Sequence, residues 1–178
     1  MKIDNTFRVC YFDIEASNLN SSFGVIISAA IKPDGKEPVL LWKGRNGSDD
    51  KELVKKIKDE LEKYDLIVGY YHLNFDMKML NSRLRHWGFK KVQRKLHVDV
   101  YRLVRKTFNT HSRRLAAICD FLHVKGKTPL DPEVWIRAAL DNDKYATAKI
   151  VEHNKWDVII LEEVFDKVKD DITSVSMA

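Results

Sequence analysis

Apolar positions along the chain follow two rhythms: short runs suited to pleated strands, and longer stretches spaced three and four apart. The runs come first. Val9 to Glu15, Val25 to Ile31 and Val39 to Trp42 read as strands. A polar loop at Ser17-Asn18-Leu19-Asn20-Ser21-Ser22 and a turn at Pro33-Asp34-Gly35 separate them. Links this short favour an antiparallel meander. Arg45 to Asp50 is a polar loop in which Ser48, Asp49 or Asp50 is available to cap a helix. Leu53, Val54, Ile57, Leu61 and Tyr64 then mark an amphipathic helix.

Leu66-Ile67-Val68-Gly69 predicts a buried fourth strand, and its approach through a helix predicts parallel pairing. Asn74 is placed to cap a helix running to about His86, with Asp76, Met79, Leu80, Leu84 and Trp87 along its inward stripe. Leu96 to Val98 predicts a fifth strand, and Asp99 a cap for a helix from Val100 to Phe108. Helices follow at Arg114 to Leu122, Glu133 to Leu140 and Tyr145 to about Lys169, with a loop from Lys125 to Pro132. The expected architecture is α/β: a mixed five-stranded sheet, three strands antiparallel and then parallel ones, flanked by helices. No repeat or linker breaks the chain, so residues 1–178 are expected to form one domain.

Composition narrows the class. A hydrophobic content of 44% with four Trp suits a packed globule and excludes disorder. No apolar run reaches the roughly 18–20 residues of a membrane span. No secretory signal is recognisable, and Cys10 and Cys119, both in apolar surroundings, read as buried reduced thiols; a cytoplasmic location is expected. The net charge of +5 is uneven: Lys78 to Lys127 holds 14 Lys and Arg against Asp99 and Asp120, leaving the rest of the chain acidic. Such a segment is either a set of solvated helix faces or the footprint of a polyanion, and an imbalance this large favours nucleic acid. No protein partner is inferable.

Four acids carry the candidate chemistry. Asp13 and Glu15 alternate with Phe12 and Ile14, so both point to one face of the first strand. Paired carboxylates there are either solvated at a strand end or held by a divalent cation such as Mg²⁺ or Mn²⁺. Asp76 follows Phe75 in a first helical turn, where an acid also suits the helix dipole. In the last helix the stripe Ile150, His153, Asn154, Asp157, Ile160, Leu161, Val164, Phe165, Val168 faces inward, and a core-facing Asp157 is costly unless paired or metal-bound. His153 projects the same way one turn earlier, as a packing residue or a base.

These stretches resemble the three motifs of the DEDD, or DnaQ-like, 3′–5′ exonuclease superfamily, which has the ribonuclease H-like fold. Phe12-Asp13-Ile14-Glu15 is similar to the first motif, especially as written in B-family DNA polymerase proofreading domains. Gly69-Tyr70-Tyr71-His72-Leu73-Asn74-Phe75-Asp76 is similar to the second, and His153-Asn154-Lys155-Trp156-Asp157-Val158 to the third. Asp99 to Val164 also resembles small stand-alone exonucleases of the YprB-like, phage-type group. Two positions depart from the pattern. Tyr71 stands where the second motif often has Asn, and His153 precedes Asp157 by the spacing of the family's Tyr form.

The resemblance implies two-metal hydrolysis of DNA or RNA from the 3′ end. Asp13, Glu15, Asp76 and Asp157 would bind two Mg²⁺ or Mn²⁺ ions, and His153 would deprotonate the attacking water. Leu19 matches the residue that wedges against the terminal base; Asn74, Ser112 and Arg114 are further substrate contacts. Phe23 is either a stacking or a core residue, and Lys125 and Lys127 either phosphate contacts or a solvated loop. The alternatives are a non-catalytic nucleic-acid-binding module and a ribonuclease H-type endonuclease.

Overall fold

The computed structural model describes residues 6–44, 49–126, 130–140, 143–172 and 175–178. Its strands are β1 (Val9–Ala16), β2 (Ile26–Pro33), β3 (Val39–Trp42), β4 (Leu66–Gly69), β5 (Leu96–Asp99) and β6 (Ser176–Met177). Its helices are α1 (Lys51–Leu61), α2 (Asp76–His86), α3 (Val100–Thr107), α4 (Leu115–Leu122), α5 (Pro132–Leu140) and α6 (Lys144–Val168). The sheet order is β3-β2-β1-β4-β5-β6. The first three strands form the antiparallel meander, β1–β4 and β4–β5 are parallel, and β6 returns antiparallel to β5. The mixed ribonuclease H-like sheet is therefore as expected, with six strands in place of five. The sixth has two residues and forms by pairing with the edge of β5, a signal that local propensity does not contain.

Alternation along β1 divides the core in two. Cys10, Phe12 and Ile14 pack on one face against Leu53, Val54, Ile57 and Leu61 of α1 and Met79, Leu80 and Leu84 of α2. Tyr11 lies on the other face with Val158, Leu161, Val164 and Phe165 of α6. Asp13 and Glu15 continue the Tyr11 side, so the helix that covers this face meets two acids at its far end. A bulge opposite Glu15 and Ala16 adds Ile27 to β2. Both Ile27 and Ser28 then meet α6, the first beside Ala146 and Ile150, the second through a hydrogen bond from its hydroxyl to Asn154 Oδ1 of 3.0 Å.

Several capping expectations need correction. Ser48 lies outside the described residues. Asp49 Oδ1 accepts from the Lys51 N–H, but Asp50 makes no cap bond and is buried instead. Asn74 does not cap α2, which begins at Asp76. Asp99 turns its carboxylate back to accept the N–H groups of Tyr71 and Leu73 at 3.0 and 3.3 Å. For Asp50 and Asp99 a tertiary partner outbids the local helix end. Side-chain caps do form at Asp131, accepting from the Glu133 N–H before α5, and at Asp143, accepting from Tyr145 and Ala146 at the start of α6. Cys10 and Cys119 are both buried, as expected. Among the described residues no helix is long and apolar enough to cross a membrane.

Asp50 ties four segments together. It accepts from the Ile26 N–H, from Arg83 Nε and Nη2, and from Trp87 Nε1 at 2.7 Å. Arg83 Nη1 also donates to the Ser21 carbonyl, which fixes the β1–β2 loop. Burial alone would raise the Asp50 carboxyl, but the Arg83, Ile26 and Trp87 hydrogen bonds and the Arg83 charge outweigh it and hold the group below the usual range. A second polar cluster lies beneath the β4–α2 loop. Gly69 leaves room for His72, whose ring carbon would stand 2.3 Å from a Cβ at that position. His72 Nε2 meets His97 Nδ1 at 3.0 Å, both residues being buried. Burial pushes His97 down to about 4, and burial together with the neighbouring ring takes His72 well below its ordinary value.

Two outcomes follow for stability. Arg83→Met leaves Asp50 buried without its cation and should cost about 3–5 kcal/mol in urea unfolding, against under about 0.5 kcal/mol for the exposed Lys55→Met. The imidazoles of His72 and His97 are kept neutral in the fold but take up protons in the unfolded chain. Their contribution is full above the unfolded imidazole value of about 6.5 and declines as pH falls below it, the His97 share reaching on the order of 2–3 kcal/mol near pH 4.5. Urea midpoints at neutral and acid pH for wild type and His97→Gln measure that share.

Candidate active site

The site forms where β1 outruns its neighbour. β1 pairs with β4 only from Val9 to Tyr11, so the later N–H groups on that edge lack a strand partner. Asp76, in the first turn of α2, supplies one: its Oδ1 accepts from the Ile14 N–H at 3.0 Å. Asp76 thus sits across the backbone between Asp13 and Glu15. From the opposite side α6 presents His153, Asn154 and Asp157 at helical spacing. Asn154 Nδ2 donates to Asp13 Oδ2 at 2.7 Å, and its own Oδ1 accepts from Ser28, which fixes which way the amide faces. His153 Nδ1 lies 3.0 Å from Glu15 Oε1 and 3.4 Å from Asp157 Oδ2. All four acids and the histidine singled out in the sequence therefore converge on one place.

Its electrostatics are those of crowded carboxylates. Burial, with the charges of Glu15 and Asp99 adding to it, pushes the Asp76 carboxyl up to about 7, and the Ile14 hydrogen bond offsets only part of this. A carboxyl so deeply buried gains from a cation close by. Glu15, His153 and Asp157 each offer one ligand atom, all within 4.8 Å of one another. Asp13 and Asp76 flank that group, each steered by the hydrogen bond described. The donor set is mainly carboxylate oxygen, which suits Mg²⁺ or Mn²⁺. The residues present fit a divalent cation.

Two supporting residues escaped the sequence reading. Trp135 of α5 donates its Nε1–H to Glu15 Oε2 at 3.1 Å and sets its ring edge-on to His153, with centroids 5.7 Å apart. A tryptophan in a short apolar helix reads as packing, and nothing in its own segment points to a strand 120 residues away. Asn154 lay on the inward stripe, but its task became visible only once Ser28 and Asp13 stood on either side of it.

The expected substrate contacts are scattered. Leu19 is 85% exposed and Phe23 82% exposed on the β1–β2 loop, so Phe23 is not a core residue. Asn74 lies on the β4–α2 loop with its Oδ1 3.5 Å from Arg102 Nη2. Ser112 and Arg114 precede α4, where Ser112 Oγ accepts from the Arg114 N–H. The Tyr70 hydroxyl donates to the Arg113 carbonyl at 2.6 Å, tying this segment to the β4–α2 loop. Lys125 is exposed, and Lys127 lies outside the described residues.

Comparison with known proteins agrees with the fold. No curated protein matches the chain. Among solved structures, the family B DNA polymerase from the hyperthermophilic archaeon Pyrobaculum calidifontis superposes with a TM-score of 0.73 at 20% identity. The match covers 93% of this chain and 25% of that one, so the chain spans about a quarter of the polymerase's length. At this identity the likeness is one of fold. The family model described as RNase_H superfamily matches residues 10–169, a span that holds Asp13, Glu15, Asp76, His153 and Asp157. Nucleases of this fold generally use divalent metals and act on nucleic acid, which points to a nuclease-type enzyme. By the extent of that match, and with a sheet and acid cluster of the matching kind, the chain belongs to the RNase_H superfamily.

Proposed function

We propose that the chain is a metal-dependent 3′–5′ exonuclease that hydrolyses phosphodiester bonds of DNA or RNA by a two-metal mechanism. The observation that carries this reading is the meeting of Asp13, Glu15, Asp76 and Asp157 with His153 at the end of β1. The order of the three motifs, which the sequence shares with DEDD exonucleases, supplies the 3′-to-5′ direction. A binding module has no use for four converging acids, since they repel the phosphates it must hold.

Asp13, Glu15 and Asp157, with Asp76 behind them, would hold Mg²⁺ or Mn²⁺, which supplies Lewis-acid polarisation of the phosphate and a more acidic water. The remaining work falls to the chain. Glu15 as a carboxylate can only accept, so Nδ1 of His153 carries a hydrogen, and in the neutral ring Nε2 is then the nitrogen with the lone pair. That nitrogen is the proton acceptor for the attacking water. Trp135 holds both partners, by a hydrogen bond to Glu15 and ring contact with His153. Asn154 and Ser28 prevent Asp13 from rotating. Exposed Leu19 is placed on the loop beside the strand end, free to wedge against a terminal base.

Oligonucleotides labelled at the 5′ end, incubated with Mg²⁺ or Mn²⁺, give the test. A ladder shortening from the 3′ end is expected; internal cuts would mean an endonuclease, and no product a binding module. Asp13→Asn should lower the rate at least about a thousandfold while leaving the far-ultraviolet circular dichroism unchanged. Asn154→Ala, which removes a hydrogen bond to Asp13 rather than the acid, should weaken apparent Mg²⁺ affinity about 10–100-fold. Its rate should recover at high Mg²⁺, a rescue that a general packing defect would not show.

A further inference from the structure

The β4–α2 loop carries an unusual tyrosine. Tyr71 has φ 61°, in the left-handed region that bulky side chains avoid. The Asp99 carboxylate holds it there by accepting the N–H groups of Tyr71 and Leu73. The ring packs edge-on against Tyr101 of α3, with centroids 5.0 Å apart at 75°, and remains 46% exposed. Strain of this kind persists where the surroundings enforce it, and it aims the side chain outward. Asn, the residue often found here in the resembling motif, adopts this conformation more readily.

The ring borders a groove of about 630 Å³ lined by Tyr71, Asn74, Tyr101, Arg102, Arg105 and Lys106. Helix α3 buries Val100, Leu103 and Val104, and it turns its basic residues outward. Arg102 approaches Asp99 at 4.0 Å, but that carboxylate is buried and already accepts two backbone N–H groups. The segment from Lys78 to Lys127 offers only one other acid, Asp120, so the neighbouring sequence supplies little counter-charge to the exposed Arg102 and Arg105. Tyr71 and Tyr101 each lie two residues beyond the ends of β4 and β5, which run parallel to β1. The groove therefore opens along the same edge of the sheet as the acid cluster. With strands about 4.8 Å apart, β5 stands roughly 10 Å from β1, a distance of a few nucleotides.

We propose that Tyr71, Tyr101 and the basic face of α3 form a binding groove for single-stranded nucleic acid beside the acid cluster. Bases stack on the exposed Tyr71 ring, and phosphates meet Arg102, Arg105 and Lys106. Aromatic rings with interleaved Arg and Lys bind unpaired strands with little regard to sequence, whereas paired bases offer no free face to stack. The groove deepens the exonuclease reading by giving the strand behind its 3′ end a path and a strandedness. Its existence, unlike its purpose, can be tested without hydrolysis.

Fluorescence anisotropy with labelled dodecamers of dT and of rU, in chelator to prevent cleavage, measures it. Wild type should bind a single strand more tightly than a blunt duplex. Arg105→Gln combined with Lys106→Gln should bind about tenfold more weakly near 0.1 M salt, and the slope of log affinity against log salt should shrink by about 1.4. Tyr71→Asn should also lose about tenfold in affinity, yet melt at the same temperature or higher because the backbone strain is relieved. Unchanged affinity and slope in the double variant, a Tyr71→Asn protein that binds as well as wild type, or a preference for duplex would each overturn the groove. Expected losses without cleavage on adding Mg²⁺ would support the groove and refute the exonuclease; cleavage with unaltered binding would do the reverse.

Discussion

A strand covered on both faces cannot carry two acids without compensation, and β1 does so. Its first half is ordinary core, with Phe12 beneath one pair of helices and Tyr11 beneath α6. Its second half sets Asp13 and Glu15 under the same helix. The structure answers by changing the character of α6 at the matching height, from Val164 and Leu161 to Asp157, Asn154 and His153. Asn154 meets Asp13 and Ser28, His153 meets Glu15 and Asp157, and the whole contact is a seam that runs from apolar to charged along one helix. Shifting either element by one residue would place acids against leucines, so the register of this contact fixes both the fold and the site.

The elements around the seam serve to keep it in place. The bulge in β2 brings Ser28 to Asn154, and so steadies Asp13 through two hydrogen bonds in series. The clamp of Asp50, Arg83 and Trp87 joins β2 to α2, whose first residue is Asp76, and also holds the β1–β2 loop through Ser21. Asp99 does for the β4–α2 loop what Asp50 does for the other. Asp50 has a buried guanidinium and Asp99 two backbone N–H groups, whereas the acids at the end of β1 are met by an amide, a backbone N–H, an indole and an imidazole.

Much of this was legible in the sequence because the signals were periodic. The inward stripe of α6 named Ile150, Asn154, Asp157, Leu161 and Val164, and each is buried. Alternation put Asp13 and Glu15 on one face, and apolar runs gave five strands, the first three antiparallel and the later ones parallel. What stayed hidden lacked a local pattern. Asp50 looked like a helix cap, because a cap and a buried ion pair use the same side chain and only Arg83, 33 residues away, decides between them. Asp99 and Asn74 misled in the same way. Nothing local marked Trp135, and Ser176 and Met177 had no strand character of their own.

The position of Trp135 has one more consequence. Its indole touches Glu15 by a hydrogen bond and His153 by its ring edge, so two of the groups that would answer to an ion or a proton share a single chromophore. Indole emission responds to the charge and polarity of its immediate surroundings, and an imidazole at its edge is a natural quencher. The molecule thus contains its own optical probe, placed by the fold rather than by a chemist at the point where occupancy changes. Difference spectra against a Trp135→Phe chain, in which the other three tryptophans cancel, can follow the surroundings of Glu15 and His153.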